Sequence, residues 1–268
     1  NVTGGSATQS GTGGKLVHFT ANNAAGRGGF DFTVTDAEGS TWTRRFAICI
    51  TNSGAPSDLS WRGNAANWDT SSSNWLKAGT PVAFSNGDRV TFNDAGAAAP
   101  NVSVASSVVA TAVDVNASAN YTISGAGGVS STGTLTKRGT GTLTLNNTTA
   151  NSFAAISLDE GLLSLGNFGA GGTGKLSLNG GSLFLSAATG NPLEFNVPTT
   201  LTVGSQQTMT GNWSGNQAVT VNGTNSHLWS LSGTWTNFTG SIQMGTGNLR
   251  LRLNGGSSNT MFGSPNVA

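Results

Sequence analysis

Charged residues are scarce in this sequence. Asp, Glu, Lys and Arg make up 9% of its 268 residues, against about 25% in ordinary soluble domains. The net charge is +1, so the counterion release that drives nucleic-acid binding has little to act on. We therefore expect no nucleic-acid partner, and a surface covered mainly by uncharged polar side chains.

Cysteine and histidine are rarer still. Cys49 is the one cysteine, which excludes an intramolecular disulfide framework and a Cys-based zinc site, and we expect it to be a small buried hydrophobic residue. His18 and His227 lie in different segments with no acid at ligand spacing beside them. A G-x-G-x-x-G match at residues 169–174 lacks the helix and the acidic residue of a dinucleotide site. No cofactor and no metal are predicted.

Long apolar runs are also missing. No stretch approaches the ~18 residues of a membrane-spanning helix, so we expect no membrane insertion in this segment, and both ends read as cut from a longer protein. Glycine, by contrast, occurs 40 times. Together with Ser, Thr and Asn it favours turns over helices, while 36% hydrophobic residues suffice for a core. The composition predicts an all-β chain.

Residues 1–53 differ in pattern from the rest. Phe30, Phe32 and Val34 alternate with polar residues, a turn-like run follows at residues 36–39, and the alternation resumes at residues 46–50. This pattern predicts a β-hairpin, which needs a partner sheet because two strands alone are marginally stable. Residues 28–51 resemble the last two strands of bacterial immunoglobulin-like surface repeats, so residues 1–53 are predicted to be part of an incomplete sandwich.

A boundary is predicted near residue 54, where Ser, Gly and Pro form a linker-like run. Residues 54–101 are predicted to be a Trp-rich entry or cap region, and residues 102–268 to be solenoid repeats. In the repeats Gly-x-Leu-x-Leu recurs at residues 141–145, 161–165, 174–178 and 181–185. The alternation predicts leucines inside and Thr, Ser, Lys or Arg outside. A spacing of about 20 residues is typical of stacked coils.

Two passages carry a family resemblance. SWRGNAANWDTSSSNWLKAGTPVAFSNGDRVTFNDAG, residues 60–96, and GTLTKRGTGTLTLNNTTANSF, residues 133–153, resemble the autotransporter-associated β-strand repeat (passenger-associated repeat) proteins. The resemblance implies a right-handed parallel β-helix in a very large exported protein that serves as an adhesin, stalk or surface scaffold. It implies no active site.

Three tryptophans spaced by seven, Trp61, Trp68 and Trp75, invite two interpretations. Large indoles close the open end of a solenoid readily. Exposed indoles beside Asn64 and Asp69 would instead stack against sugar rings. Trp213, Trp229 and Trp235 pose the same question further along the chain.

The basic positions Lys137, Arg138, Arg250 and Arg252 are expected on the solvent face of strands. There they would deter edge-to-edge pairing of sheets, or they would meet an anionic glycan.

A polysaccharide lyase or glycosidase is the main enzymatic alternative, because parallel β-helices often carry these activities. Glycoside hydrolysis, however, needs two carboxylates facing one bond. Asp159 and Glu160 are neighbours that point opposite ways on a strand. A site would have to use Asp88, Asp94 or Asp114, and nothing in the sequence pairs them. We predict no catalytic residue.

The sequence thus favours a structural or adhesive module of a large exported bacterial protein, at the cell surface or outside the cell. The expected partners are other copies of the chain, neighbouring segments of the parent protein, or surface glycans. A carbohydrate-active β-helix with glycan-binding or lyase activity is the alternative. A cluster of carboxylates or of Lys and Arg on one solenoid face would distinguish the two.

Overall fold

The computed structural model describes residues 2–10, 16–21, 26–50, 56–224, 228–247, 250–253 and 266–267. His227, the linker residues 53–55 and the side chains of Cys49 and Arg252 lie outside this description. The chain divides into two compact units. The first comprises Asn1–Pro56 with Ser85–Gly87, and the second comprises Ser57–Phe84 with Asp88–Ala268.

The described residues of the first unit form five antiparallel strands. They are β1 (Val2–Thr3), β2 (Gly5–Ser10), β3 (Leu16–Ala21), β4 (Gly26–Thr35) and β5 (Thr41–Ile50). β4 and β5 pair along their whole length, β1 pairs with β4, and β2 pairs with β3. The turn between β4 and β5 is held by Asp36, whose Oδ1 accepts hydrogen bonds from the backbone N–H groups of Glu38 (3.1 Å) and Ser40 (2.7 Å). The predicted hairpin is therefore confirmed.

One face of this hairpin is aromatic. Phe30 lies opposite Phe46 and Val34 lies opposite Trp42, and directly opposed residues of an antiparallel pair share a face. The ring centroids of Phe32 lie 5.4 Å from Phe46 and 5.7 Å from Trp42. Val34, Trp42 and Phe46 keep about half of their surface exposed, at 52%, 51% and 54%. The hairpin thus carries an apolar face that the described residues leave partly open to solvent.

The second unit contains the remaining strands and one 3-10 turn, Asp94–Gly96; the described residues contain no α-helix. The strands are β6 (Asp58–Trp61), β7 (Trp75–Lys77), β8 (Thr80–Val82), β9 (Arg89–Asn93), β10 (Asn101–Ser103), β11 (Val108–Ala110), β12 (Ala112–Asn116), β13 (Tyr121–Gly125), β14 (Val129–Arg138), β15 (Thr142–Asn147), β16 (Ser152–Leu158), β17 (Leu162–Leu165), β18 (Lys175–Leu178), β19 (Ser182–Leu185), β20 (Leu193–Phe195), β21 (Thr199–Val203), β22 (Gln207–Met209), β23 (Trp213–Gly215), β24 (Val219–Gly223), β25 (Leu228–Leu231), β26 (Asn237–Phe238), β27 (Ser241–Met244), β28 (Arg250–Leu253) and β29 (Asn266–Val267).

These strands stack into a β-solenoid of about seven turns, as predicted. The long sheet has twelve strands, in the order β26-β23-β20-β18-β16-β14-β12-β9-β6-β7-β8, with β11 beside β14. A second sheet has nine strands, in the order β10-β13-β15-β17-β19-β21-β24-β27-β29. We call it the neutral sheet because its described strands contain no charged residue. A third, short sheet contains β22-β25-β28. Pairing is parallel throughout, except for the antiparallel β6-β7-β8 at the N-terminal end. From β12 to β21 successive strands of the chain alternate between the long and the neutral sheet. In the later coils β22, β25 and β28 of the short sheet follow β21, β24 and β27 of the neutral sheet.

The core consists of apolar side chains stacked from coil to coil. In the neutral sheet Leu143, Leu163, Leu183, Leu201 and Val221 pair in sequence, each 0–1% exposed. Two residues further along the strands, Leu145, Leu165, Leu185 and Val203 form a second buried stack. The alternation in β17 is typical, because Leu163 and Leu165 are buried while Leu162 and Ser164 are partly exposed. The predicted inward leucines are thus confirmed.

Buried asparagines hold the loops that lead from the neutral sheet back to the long sheet. The Asn147 Nδ2 donates to the Gly127 carbonyl (2.7 Å) and the Asn151 Nδ2 donates to the Ala170 carbonyl (2.8 Å). Both side chains are at most 4% exposed. Because an unpaired buried carbonyl costs about 1–3 kcal/mol, these amides make it feasible for the chain to turn inside the stack.

Replacing Leu163 by Ala should destabilise the solenoid by roughly 2–4 kcal/mol, because a fully buried leucine leaves a cavity between packed coils. Replacing Lys175 by Ala should cost about 0.5 kcal/mol or less, since its ammonium forms an exposed ion pair with Glu194. Guanidinium unfolding of the two variants against the parent chain measures both. Equal losses at the two sites would contradict the assignment of inner and outer faces.

Candidate functional site

The three N-terminal tryptophans form one buried aromatic cluster. Trp61 ends β6, Trp75 begins β7, and Trp68 lies in the loop between them. The Trp75 ring centroid is 5.0 Å from Trp61 and 5.3 Å from Trp68, and Phe84 and Phe92 complete the cluster. Trp61, Trp68 and Trp75 are 1%, 0% and 0% exposed. They therefore have no open face for a sugar ring, and the predicted glycan contact at these indoles is wrong.

The two polar residues of that predicted site are used within the loop itself. The Asp69 carboxylate accepts hydrogen bonds from the backbone N–H and the hydroxyl of both Ser71 and Ser72, at 2.6–3.0 Å. Burial by itself would raise the pKa of Asp69, but these bonds lower it overall. The Asn64 Nδ2 donates to the Asn74 Oδ1 (3.2 Å). The arrangement fixes the loop and does not assemble a ligand site.

The loop between β6 and β7 covers the first strand of the neutral sheet. The Ser103 N–H donates to the Ala66 carbonyl (2.7 Å), and the Trp68 N–H donates to the Ser103 carbonyl (2.9 Å). The Trp61 Nε1 donates to the Ala99 carbonyl (2.9 Å). Both backbone groups of Ser103 are thereby paired with this loop, which lies with its indoles over the N-terminal end of the solenoid core.

A second aromatic cluster lies in the last coils. Trp213 has ring centroids 4.3 Å from Trp235, 4.8 Å from Phe195 and 6.0 Å from Trp229. All four side chains are at most 4% exposed. These indoles are core residues, and the question of sugar stacking that the sequence raised for them is answered in the same way.

The outer face of the long sheet carries a charged cluster that spans three coils. Arg138 in β14 reaches Asp114 in the preceding coil (Nη1 to Oδ1, 3.1 Å) and Asp159 in the following one (Nε to Oδ2, 3.4 Å). The Asp159 Oδ1 also accepts from the Ser157 hydroxyl (2.6 Å) and the Asn179 amide (3.0 Å). The expectation that nothing pairs Asp114 is therefore wrong, because stacking brings together residues more than twenty positions apart.

The two carboxylates of this cluster differ in protonation behaviour. Burial raises the pKa of Asp114; the Arg138 guanidinium opposes this effect and the Asp159 charge adds to it. Burial alone would raise the pKa of Asp159 as well, but hydrogen bonds from Ser157 and Asn179 and the charge of Arg138 lower it overall. Asp159 has several donors where Asp114 has the guanidinium, and this difference in hydrogen bonding accounts for the opposite directions.

Further polar contacts continue along the same face. The Lys175 ammonium lies 2.8 Å from the Glu194 Oε2, which also accepts from the Ser177 hydroxyl at 2.8 Å. These two donors hold the pKa of Glu194 below its usual value. The Asn196 amide donates to the Asn179 Oδ1 at 2.7 Å. The outward side chains of neighbouring coils thus bond mainly to one another, and together they can fix coil register and present a polar surface.

Lys137 is buried, not solvent-facing, so the prediction for this residue is wrong. Its side chain is 1% exposed, and the ammonium donates to the carbonyls of Arg138 (2.8 Å), Gly139 (2.6 Å) and Glu160 (3.2 Å). Burial lowers the pKa of Lys137, and the Glu160 charge acts in the opposite direction. Gly161 lies beside this ammonium and has φ +74°. Any Cβ there would clash with the carbonyl oxygen of Gly139, which is one of the acceptors of Lys137.

The other basic residues and the histidine are simpler to place. Arg138 and Arg250 are exposed, as predicted, and His18 lies exposed on β3. Asp94 accepts from the backbone N–H groups of Ala119 and Ser118 at 2.9–3.1 Å. These bonds lower the pKa of Asp94, so this acid joins two coils instead of facing a second carboxylate.

The first unit has a groove of about 350 Å³. Val2, Val17, Phe30 and Phe32 supply its apolar lining, and Asp31 is the titratable residue in it. The Asp31 carboxylate lies 3.0 Å from Arg45. One ion-paired acid does not provide the two groups that acid–base catalysis of glycoside cleavage requires.

Across the described ranges, no three His, Cys, Asp or Glu side chains are grouped in a way that could hold a metal ion. Nor does that part of the chain contain a helix long and apolar enough to span a membrane.

Comparison of the chain with protein-family models, with curated proteins and with solved structures found no match. The resemblance carried by residues 60–96 and 133–153 therefore stays a prediction.

Replacing Lys137 by Met should destabilise the chain by about 1–3 kcal/mol, because the methionine keeps the apolar stem but leaves three inner carbonyls without their donor. The adjacent Arg138→Ala is the matched control. It removes an exposed ion-pair partner and should cost less than about 1 kcal/mol. Guanidinium unfolding compares the two variants, and a larger loss for the arginine variant would contradict the buried role of Lys137.

Stability should fall in acid. The folded pKa values of Asp94, Asp159 and Glu194 are lowered, so their contribution is complete above the unfolded values of 3.8 and 4.5 and disappears as pH falls through the folded values. The melting temperature should be flat above about pH 5 and decline below about pH 4. Asp94→Asn, which keeps an acceptor that does not titrate, should make the decline shallower. An unchanged profile in this variant would contradict the assignment.

Proposed function

We propose that this chain is a structural or adhesive module, a stalk, fibre or surface scaffold, in a large exported bacterial protein. The observation that carries the proposal is that outward-facing charged side chains form ion pairs between neighbouring coils. Arg138 joins Asp114 to Asp159, and Lys175 joins Glu194, each across a coil boundary. Solenoid stability is a sum of contacts between neighbouring repeats, so these side chains act where a long, rigid element needs them.

Composition supports the exported location. A chain with 9% charged residues and one cysteine covers its surface with Ser, Thr, Asn and Gly and does not depend on disulfides. The resemblance of residues 60–96 and 133–153 to passenger-associated repeats points the same way. We infer an extracellular or cell-surface location, with other copies or neighbouring segments of the parent protein as the first partners.

A carbohydrate-active module is the second candidate, because one observation favours it. Asp114 and Asp159 lie on the same outer face, and their pKa values are shifted in opposite directions. Oppositely shifted carboxylates are the pattern of an acid–base pair. Arg138, however, forms ion pairs with both carboxylates. A polysaccharide substrate would have to displace the guanidinium before the two acids could face its glycosidic bond. The structural role is therefore the better supported of the two.

The chain should show no turnover on polyuronates, neutral polysaccharides or peptides, with or without calcium. Release of reducing ends, absorbance of unsaturated uronates and peptide cleavage are the measurements. Asp114→Asn and Asp159→Asn serve as matched variants. Turnover that disappears in both variants would overturn the structural proposal in favour of carbohydrate cleavage at this cluster.

A further inference from the structure

The neutral sheet differs from the long sheet in having no charge. None of its nine described strands contains Asp, Glu, Lys, Arg or His. The strands of the long sheet contain eight charged residues, which are Asp58, Lys77, Arg89, Asp114, Lys137, Arg138, Lys175 and Glu194. A soluble surface of this size would ordinarily contain roughly 25–35% charged residues, so the neutral sheet is unusual for a face exposed to water.

The outward residues of the neutral sheet are mostly hydroxyl and amide side chains. One row across the coils contains Thr122, Thr144, Ser164, Phe184, Thr202 and Asn222, and the next contains Thr142, Leu162, Ser182, Thr200, Thr220 and Gln243. All of these are partly or fully exposed. Each row repeats at the strand spacing of about 4.8 Å, so the surface is a regular, uncharged grid.

Two apolar side chains interrupt the grid at its centre. β19 is the fifth of the nine strands, and β17 lies beside it. Phe184 on β19 is flanked by Ser164 and Thr202, while Leu162 on β17 is flanked by Thr142 and Ser182. Gly204 lies under the ring, since a Cβ there would be 2.8 Å from the Phe184 Cζ. The Phe184 ring therefore lies along the surface of the sheet and does not project far from it.

Two features of this face are shared with protein interfaces, whose core is depleted of charge and enriched in aromatic residues and whose rim is polar. Phe184 supplies the aromatic centre, and the uncharged Ser and Thr side chains around it supply the polar rim. From β10 to β27 the face covers roughly 600 Å², given strands about 4.8 Å apart and about five residues wide. Two such faces together would cover about 1,200 Å², the lower end of the range for stable complexes. Since no charge would be buried, pairing the face with itself carries no ionic desolvation cost.

From this arrangement we propose that the neutral sheet is the surface by which two copies of the chain pair side by side. A two-fold axis through β19 brings Phe184 and Leu162 of one copy against the same residues of the second, which is the closed, isologous contact usual for dimers. The proposal rests on the structural role proposed above and specifies its partner. Contact between solenoid ends, in contrast, would join copies head to tail and would build an open series of oligomers instead of a closed dimer.

Sedimentation of the full chain over a concentration series tests the pairing. The expected result is a closed monomer–dimer equilibrium. Leu162→Lys and Thr202→Lys each place like charges near the two-fold axis and should weaken the dimer by at least about tenfold. Thr136→Lys, a partly exposed position on the long sheet, is the matched control and should leave the dimer unchanged. Circular dichroism and melting of each variant confirm that it folds.

Four outcomes would overturn the pairing. They are a chain that stays monomeric at all concentrations, a dimer that survives both neutral-sheet variants, an open series of growing oligomers, and a monomer that binds a neutral polysaccharide through Leu162. The last result would assign the same face to a glycan. None of these outcomes depends on the turnover assays, so failure of the pairing is distinguishable from failure of the structural role.

Discussion

Parallel stacking in register is the constraint on which the rest of this structure depends. Each outward residue lies about 4.8 Å from its counterpart in the next coil, where two like charges repel by about 1 kcal/mol even in bulk water. Rows of one charge would therefore oppose the stack. In the long sheet the direct counterparts of Asp114 and Glu194 are the uncharged Thr136 and Ser177. Opposite charges meet diagonally instead, with Arg138 between Asp114 and Asp159 and Lys175 beside Glu194. The described strands of the neutral sheet avoid this repulsion because they contain no charged residue.

The same stacking determines what happens where the chain turns. Backbone groups at the corners lie within the stack, so they need partners that a ladder of strands does not supply. Asn147 and Asn151 supply amides at one corner, and Lys137 supplies an ammonium at another. The N-terminal end is closed differently, by a loop that pairs with β10 above the buried ring of Trp68. Polar and aromatic residues that would indicate function in another fold here complete the core.

Local patterns determined the strands. Alternation with a period of two was enough to predict the hairpin of the first unit and to assign Leu163 and Leu165 to the inside of a coil. The period of a strand is fixed by its own backbone, so no knowledge of neighbours was needed. The same rule contained the answer for Lys137, which follows the inward Leu135 by two residues. Charge suggested solvent instead, but a long stem can carry an ammonium to carbonyls at a corner.

Only the tertiary structure decided which residues meet across coils. Leu143 and Leu163 pair at a spacing of twenty, whereas Asp114 and Thr136 pair at twenty-two, because the coils differ in length. Arg138 reaches Asp114 diagonally, two residues beyond that register. Contacts between coils therefore follow no single spacing, and the ion pairs of the long sheet could not be read from one period. Burial of Trp68 was equally out of reach, since an indole serves a core or a sugar site according to what covers it. Composition and alternation thus determined an all-β solenoid with few charges, and the stacking register decided what each polar side chain does.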